Sequence, residues 1–319
     1  MDPTEEERFK DFSLDGDVIF VVGGQKKARL KVNSQYLCCA STVFRAMFGP
    51  NWSEDQGLSK ESPKDVPLAE DDPDALYAIM CVIHHRNDLV PAEISPQELL
   101  QIAIAADKYD LSVALTFARA QWLQHQSKDI AVSKYMACLM AAAFLFDNQS
   151  NFIEYGQALM LRHAGSYMLR LNDKALRQAL PVGLPLLLEE RRNRLRASLA
   201  EVIEKQLGKH CYSCGWDREL STNFRREASE YKPLNMLEVP ISQVIERAQT
   251  LMDSLLDKRK HHPNLLATRE NPQHWHIASQ YVKIFSADVE ELKKRATICF
   301  GCVEGLGSGN VPSCQFKHG

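Results

Sequence analysis

The segment Leu99-Leu-Gln-Ile-Ala-Ile-Ala-Ala-Asp-Lys-Tyr-Asp-Leu111 is apolar nearly all the way round a helix. A surface helix carries one apolar stripe, so a helix of this kind has to be enclosed on most of its sides. Its start is written in the four residues before it. Ser95-Pro96-Gln97-Glu98 is a capping box with proline at the first helical position. Whatever else the chain forms must therefore wrap this helix.

The residues upstream supply the wrapping. Asp17-Val-Ile-Phe-Val-Val22 and Ala28-Arg-Leu-Lys-Val32 are β-rich runs on either side of Gly23-Gly24, which predicts a hairpin. The glycine pair matches no phosphate-binding spacing, so it is read as a turn. Leu37, Cys38, Ala40, Val43, Phe44, Met47 and Phe48 then recur at helical spacing. Ser34 and Ser41 are the expected N-caps of two short helices, and Gly49-Pro50 ends the second. A short strand is expected around Val66 and Leu68. Asp72-Pro73 opens a helix with Leu76, Ile79, Met80 and Ile83 on one face. His84-His85 ends it, and these histidines are read as helix-terminal residues favoured by the dipole rather than as a metal pair. A further helix is expected over about 112–123, with Val113, Leu115, Phe117, Trp122 and Leu123 as its apolar residues.

Taken in order, these pieces resemble a BTB/POZ domain. The resemblance rests on the strand Asp17–Val22, on Leu30-Lys-Val-Asn, on Leu37-Cys-Cys-Ala-Ser-Thr-Val-Phe44 and on Met47-Phe48. It continues through Leu68-x-x-Asp71-Asp-Pro-Asp-Ala-Leu76 and Ile102 to Leu111. It spans about residues 14–125, and the overall style is similar to BTB proteins common in filamentous fungi. Two positions depart from the pattern. Asn33 stands where the family usually has histidine, and His84-His85 stand near a usual Tyr-Thr pair. The resemblance implies an α+β domain, a small sheet flanked by helices, that acts as a protein-interaction module with no catalytic centre. It also implies homodimerisation and, in adaptor members, a hydrophobic-x-Glu motif that engages a cullin ubiquitin ligase. Trp52-Ser53-Glu54 stands in the matching place, a large apolar anchor beside a carboxylate.

Composition divides the chain of 319 residues at the end of this region. Residues 1–125 hold 12 Lys/Arg against 20 Asp/Glu, a net of −8, while 126–319 hold 26 against 21, a net of +5. Three parts are expected: an acidic leader over 1–13, the BTB-like domain over 14–125, and a mainly α-helical C-terminal domain over 126–319. The start lacks the basic flank and apolar core of a signal peptide, and no apolar run is long enough to span a membrane. An intracellular protein, in cytoplasm or nucleus, is expected. Little apolar periodicity precedes Asp17, which argues against a strand-exchanged dimer of the animal type.

Helices are expected from Ser127 through Phe146, over 151–171, over 186–207, and at about 241–256 and 276–297. The helix at 186–207 bears Arg191, Arg192, Arg194 and Arg196, read as a strip that is solvated or paired with Glu189, Glu190 and Glu201. A net of +5 is less than phosphate binding usually concentrates, so nucleic acid is not the expected partner. A nuclear, DNA-associated regulator is kept as an alternative reading. No nucleophile–base or paired-carboxylate motif is found, and an enzyme is not expected.

Nine cysteines are present. Cys38, Cys39, Cys81 and Cys138 lie in apolar surroundings and are expected to be small core residues. Cys211-Tyr-Ser-Cys214-Gly215 and Cys299-Phe-Gly-Cys302 are two CxxC pairs. CxxC turns let two thiolates face one ion at ~2.3 Å, and two such pairs complete a tetrahedral set that suits structural zinc. The 84 residues between the pairs, 215–298, far exceed a zinc ribbon, so the site would staple a helical subdomain. His210, Cys314 and His318 are reserve ligands. Unligated thiols and a DNA-binding finger are the alternatives, though the two-histidine pattern of a finger is lacking.

Overall fold

A computed structural model describes residues 8–24, 28–49, 58–124, 133–207, 239–260 and 278–308. The chain divides into two compact units, Met1–Phe152 with Asp173–Leu180, and Ile153–Asn172 with Pro181–Gly319.

The first unit holds four strands: β1 (Arg8–Asp11), β2 (Val18–Val22), β3 (Ala28–Val32) and β4 (Lys64–Leu68). They form one sheet in the order β1-β3-β2-β4. β2 and β3 make the expected antiparallel hairpin, with Val18 opposite Val32 and Val22 opposite Ala28. Gly23 takes φ 87° at its turn, a conformation that glycine adopts without a Cβ penalty. Strict alternation buries Val18, Phe20 and Val22 on one strand and Ala28, Leu30 and Val32 on the other. β4 lies parallel to β2, and β1 lies parallel to β3. β1 falls inside the expected leader. Only four residues long, it carries too short an alternation to be read from sequence.

Helices α1 (Ser34–Ala40) and α2 (Thr42–Met47) follow the hairpin. α3 (Pro73–Ile83) and α4 (Pro96–Lys108) begin where Asp72 and the Ser95/Glu98 capping box predict. α4 buries Leu99, Leu100, Ile102, Ala103, Ala105 and Ala106, and it packs against both α3 and α6 (Ser133–Leu145). This enclosure from two sides is what its all-round apolar surface requires. α5 (Thr116–Gln124) and α9 (Lys174–Ala179) complete the unit, which runs past residue 125.

α7 (Gln149–Arg162) runs from the first unit into the second. The expected helix over 151–171 ends at Arg162, and α8 (Tyr167–Arg170) restarts after Ser166, whose side chain caps it. α10 (Leu184–Leu207) packs on α8 and on α12 (Ala278–Arg295), and α11 (Ile241–Lys260) also packs on α12. α13 (Phe300–Ser308) buries Phe300 and Val303. The described residues are thus α+β in the first unit and helical in the second. No helix among them is long and apolar enough to cross a membrane.

Candidate functional site

Polar contacts in the first unit converge on the start of α1. Its N-cap is Asn33 rather than the expected Ser34. The Asn33 side-chain oxygen accepts from the backbone N–H groups of Gln35 and Tyr36, and its Nδ2 donates to the carbonyl of Asp15 at 3.1 Å. Ser34 is freed for another task. Its Oγ donates to Asp17 Oδ2 at 2.6 Å and its N–H to Asp17 Oδ1 at 2.8 Å. The first residue of the Asp17–Val22 run thereby ties the edge of the hairpin to the helix that follows it.

His84 closes this group from the opposite side. Its Nε2 accepts from the Asn33 N–H at 3.0 Å, so the proton sits on Nδ1, which donates to the Met80 carbonyl at 3.1 Å. The ring is 6% exposed and lies among Phe12, Tyr36 and His85. Burial pushes its pKa down to about 4, with the neighbouring His85 adding in the same direction. His84 is therefore a neutral acceptor, which corrects the reading of a dipole-favoured charged terminus. The signal was present only as a polar residue adjacent to an apolar face.

A second group joins α2 to the end of α4. Ser41 caps α2 through the Phe44 N–H and donates to the Tyr109 carbonyl at 2.5 Å, and Thr42 donates to Asp110. Asp71 accepts from both Lys108 and Tyr109, at 2.9 and 2.8 Å. Burial and the Asp71 contact raise the Tyr109 phenol far above its usual range. His85, Asp110 and Asp147 all take positive φ just after α3, α4 and α6. In each case the next residue donates back five positions, as in Arg86 to Cys81, which makes a Schellman ending without glycine.

Between these groups the surface is unevenly apolar. Val113 and Phe117 are 86% and 92% exposed, although their spacing placed them with the core, whereas Leu115, Trp122 and Leu123 are buried. The expected helix over 112–123 starts only at Thr116, so Val113 and Leu115 lie in a turn where helical spacing does not govern which side chain is buried. Trp52 and Glu54 lie outside the described residues. Of the cysteines expected in the core, Cys81 and Cys138 are buried, and burial lifts the Cys138 thiol to about 11. Cys39 is instead exposed at the end of α1.

In the second unit two of the four arginines of the strip are not solvated. Arg192 is 4% exposed and Arg196 7%. Arg192 Nη1 donates to the carbonyls of His163, Ala164 and Gly165, at 3.3, 3.2 and 2.6 Å, and Nη2 donates to Glu189. Its guanidinium lies 4.3 Å over the Tyr167 ring, and Glu189 also accepts the Tyr167 N–H at 2.8 Å. One side chain thus satisfies the carbonyls that follow the end of α7 and fixes the corner into α8. Arg192 and Arg194 both take the expected glutamate partners, Glu189 and Glu190, but only the Arg194 pair lies on the surface. Burial, then Arg192, lowers the Arg196 pKa, and burial lowers that of His163.

Cys299 and Cys302 are half-buried at the start of α13. Cys211, Cys214, His210, Cys314 and His318 lie outside the described residues. Among the described residues no group of three or more metal-ligating side chains gathers.

A family model described as the BTB/POZ domain matches residues 9–125. No curated protein matches the chain.

Proposed function

With residues 9–125 forming a BTB/POZ domain, a protein–protein interaction module, we propose that the protein is a non-enzymatic scaffold or adaptor that gathers partners through this domain. The single observation that carries the reading is the family match itself. It covers the sheet except Arg8, and helices α1 to α5 in full. Exposed Val113 and Phe117 support it, since apolar side chains left in water on an otherwise well-packed domain fit a surface that meets protein.

The sharper form is a substrate adaptor of a cullin ubiquitin ligase, with Trp52 as the apolar anchor and Glu54 as the oriented carboxylate. Capture of a purified cullin by the full chain, lost in Trp52→Ala/Glu54→Ala, is the expected result. Failure of the wild-type chain to capture a cullin ends the adaptor form. In that event the interaction-module reading stands on its own test, oligomeric state by light scattering. A homodimer is expected, without exchange of β1, which is already paired with β3 of its own chain. The DNA-associated alternative is the weaker reading, since Arg192 and Arg196 are turned into the protein rather than toward phosphate.

A further inference from the structure

Apart from the interaction module of the first unit, and without resting on it, we propose that a cleft in the second unit binds a carboxylate group, borne by a small acid or by an acidic side chain of a partner. The cleft has a volume of about 480 Å³. It lies between the corner that follows α7 and the α10 residues Glu189, Arg192, Asn193 and Arg196. Residues three and four apart share one face of a helix, so these four form a single row along α10.

The hydrogen bonds along that row leave the charges out of balance. Arg192 is engaged by the corner, through Nη1 to its three carbonyls and through Nη2 to Glu189. Both oxygens of Glu189 are engaged in turn, one by Arg192 and the other by the Tyr167 N–H. Glu189 is the one carboxylate among the described residues lining the cleft. Arg196 therefore brings a second guanidinium to a wall whose carboxylate is already taken. Two guanidiniums against one carboxylate give these lining residues a net charge of +1. Arg196 is only 7% exposed, so water screens its charge poorly and an anion in the cleft is attracted the more strongly.

The surroundings of Arg196 agree with this balance. Burial, then Arg192, lowers its pKa, with Tyr167 and Glu189 opposing. An added carboxylate would favour the charged guanidinium. The wall is also rich in donors. Nε of Arg192 is buried and meets no acceptor. Ser166 Oγ accepts from the Met168 N–H, which leaves its own O–H to donate, and Asn193 adds an exposed amide. A net of +1 matches a singly charged carboxylate better than a phosphate dianion, and guanidinium is the side chain best suited to bind carboxylates.

The test uses the full chain. Butyrate, a capped Ala-Glu-Ala peptide and its Ala-Gln-Ala counterpart are titrated at constant ionic strength and followed by amide NMR shifts. Saturable binding at about the millimolar level is expected for at least one of the two carboxylates. The shifts should centre on Gly165, Ser166 and Asn193, and the Gln peptide should give none. Binding of butyrate alone, or of the Glu peptide alone, upholds the site and identifies the source of the carboxylate. Arg196→Gln should weaken binding by about tenfold or more and Asn193→Ala by a smaller factor. Arg194→Gln, which removes a surface pair with Glu190, should leave it unchanged. No saturable binding by the wild-type chain, or shifts confined to other residues, overturns the site. Undiminished binding by a folded Arg196→Gln overturns it as well, and inorganic phosphate bound more tightly than either carboxylate overturns the ligand class. Where Arg196→Gln fails to fold, the wild-type titration and Asn193→Ala, at an exposed position, decide the matter.

Discussion

The backbone N–H of Asn33 donates to Nε2 of His84 across 3.0 Å, joining the start of α1 to the end of α3, 51 residues away. The bond exists only while the imidazole is neutral, because a protonated ring has no lone pair to accept with.

A dependence of stability on pH follows. The unfolded chain protonates His84 near pH 6.5, while in the folded protein burial holds the pKa at about 4. A depressed folded pKa contributes stability that is fully present above 6.5 and is lost as pH falls toward 4. The loss reaches at most about 3 kcal/mol. Denaturation midpoints at pH 7, 5.5 and 4.5 should fall in that order. In His84→Gln, whose side chain does not titrate, the fall should be visibly shallower, and equal slopes in the two proteins would remove His84 as the cause.

Asn33 serves as cap and as donor at once, and the two roles separate by substitution. Asn33→Ala loses both and is expected to cost about 1–2 kcal/mol. Asn33→Asp keeps the acceptor for the Gln35 and Tyr36 N–H groups but loses the bond to the Asp15 carbonyl. Its cost should be the smaller of the two. Thermal or urea denaturation of both variants measures the difference.

Removing the Arg192 guanidinium takes the donor from three carbonyls and leaves Glu189 without its charge partner in a partly buried corner. Arg192→Met is expected to cost about 3–5 kcal/mol. Arg192→Lys should recover only part of this, since an ammonium cannot span three carbonyls and a carboxylate as the planar fork does. Hydrogen exchange should place the added opening in residues 153–172 and 184–207. Protection unchanged there would show that the corner does not depend on Arg192.

Asp147 holds φ 52° after α6, where a side chain costs energy that glycine does not. Asp147→Gly is expected to raise stability by about 0.5–1 kcal/mol, despite the greater entropy of glycine in the unfolded chain. A lower midpoint would mean that the carboxylate has a compensating role.

Much of this architecture was legible before any coordinates. The hairpin, the helix starts at Asp72 and Ser95 and the enclosure of Leu99–Leu111 follow from local rules, namely period-two alternation, capping chemistry and the need to cover apolar surface. Those rules act over a few residues, and composition alone separated the acidic and basic portions of the chain. What tertiary structure decided is where polar groups go. Ser34 rather than Asn33 was the expected cap, because nothing local reveals that Asp17 claims the serine. The burial of Arg192 was not visible, because the carbonyls it serves belong to a corner some 28 residues away in sequence. Val113 and Phe117 carry the spacing of core residues and remain in water. A side chain's type and spacing fix what it can bond to. Only the approach of distant segments supplies the partner, and the cost of leaving a buried polar group unpaired selects among them.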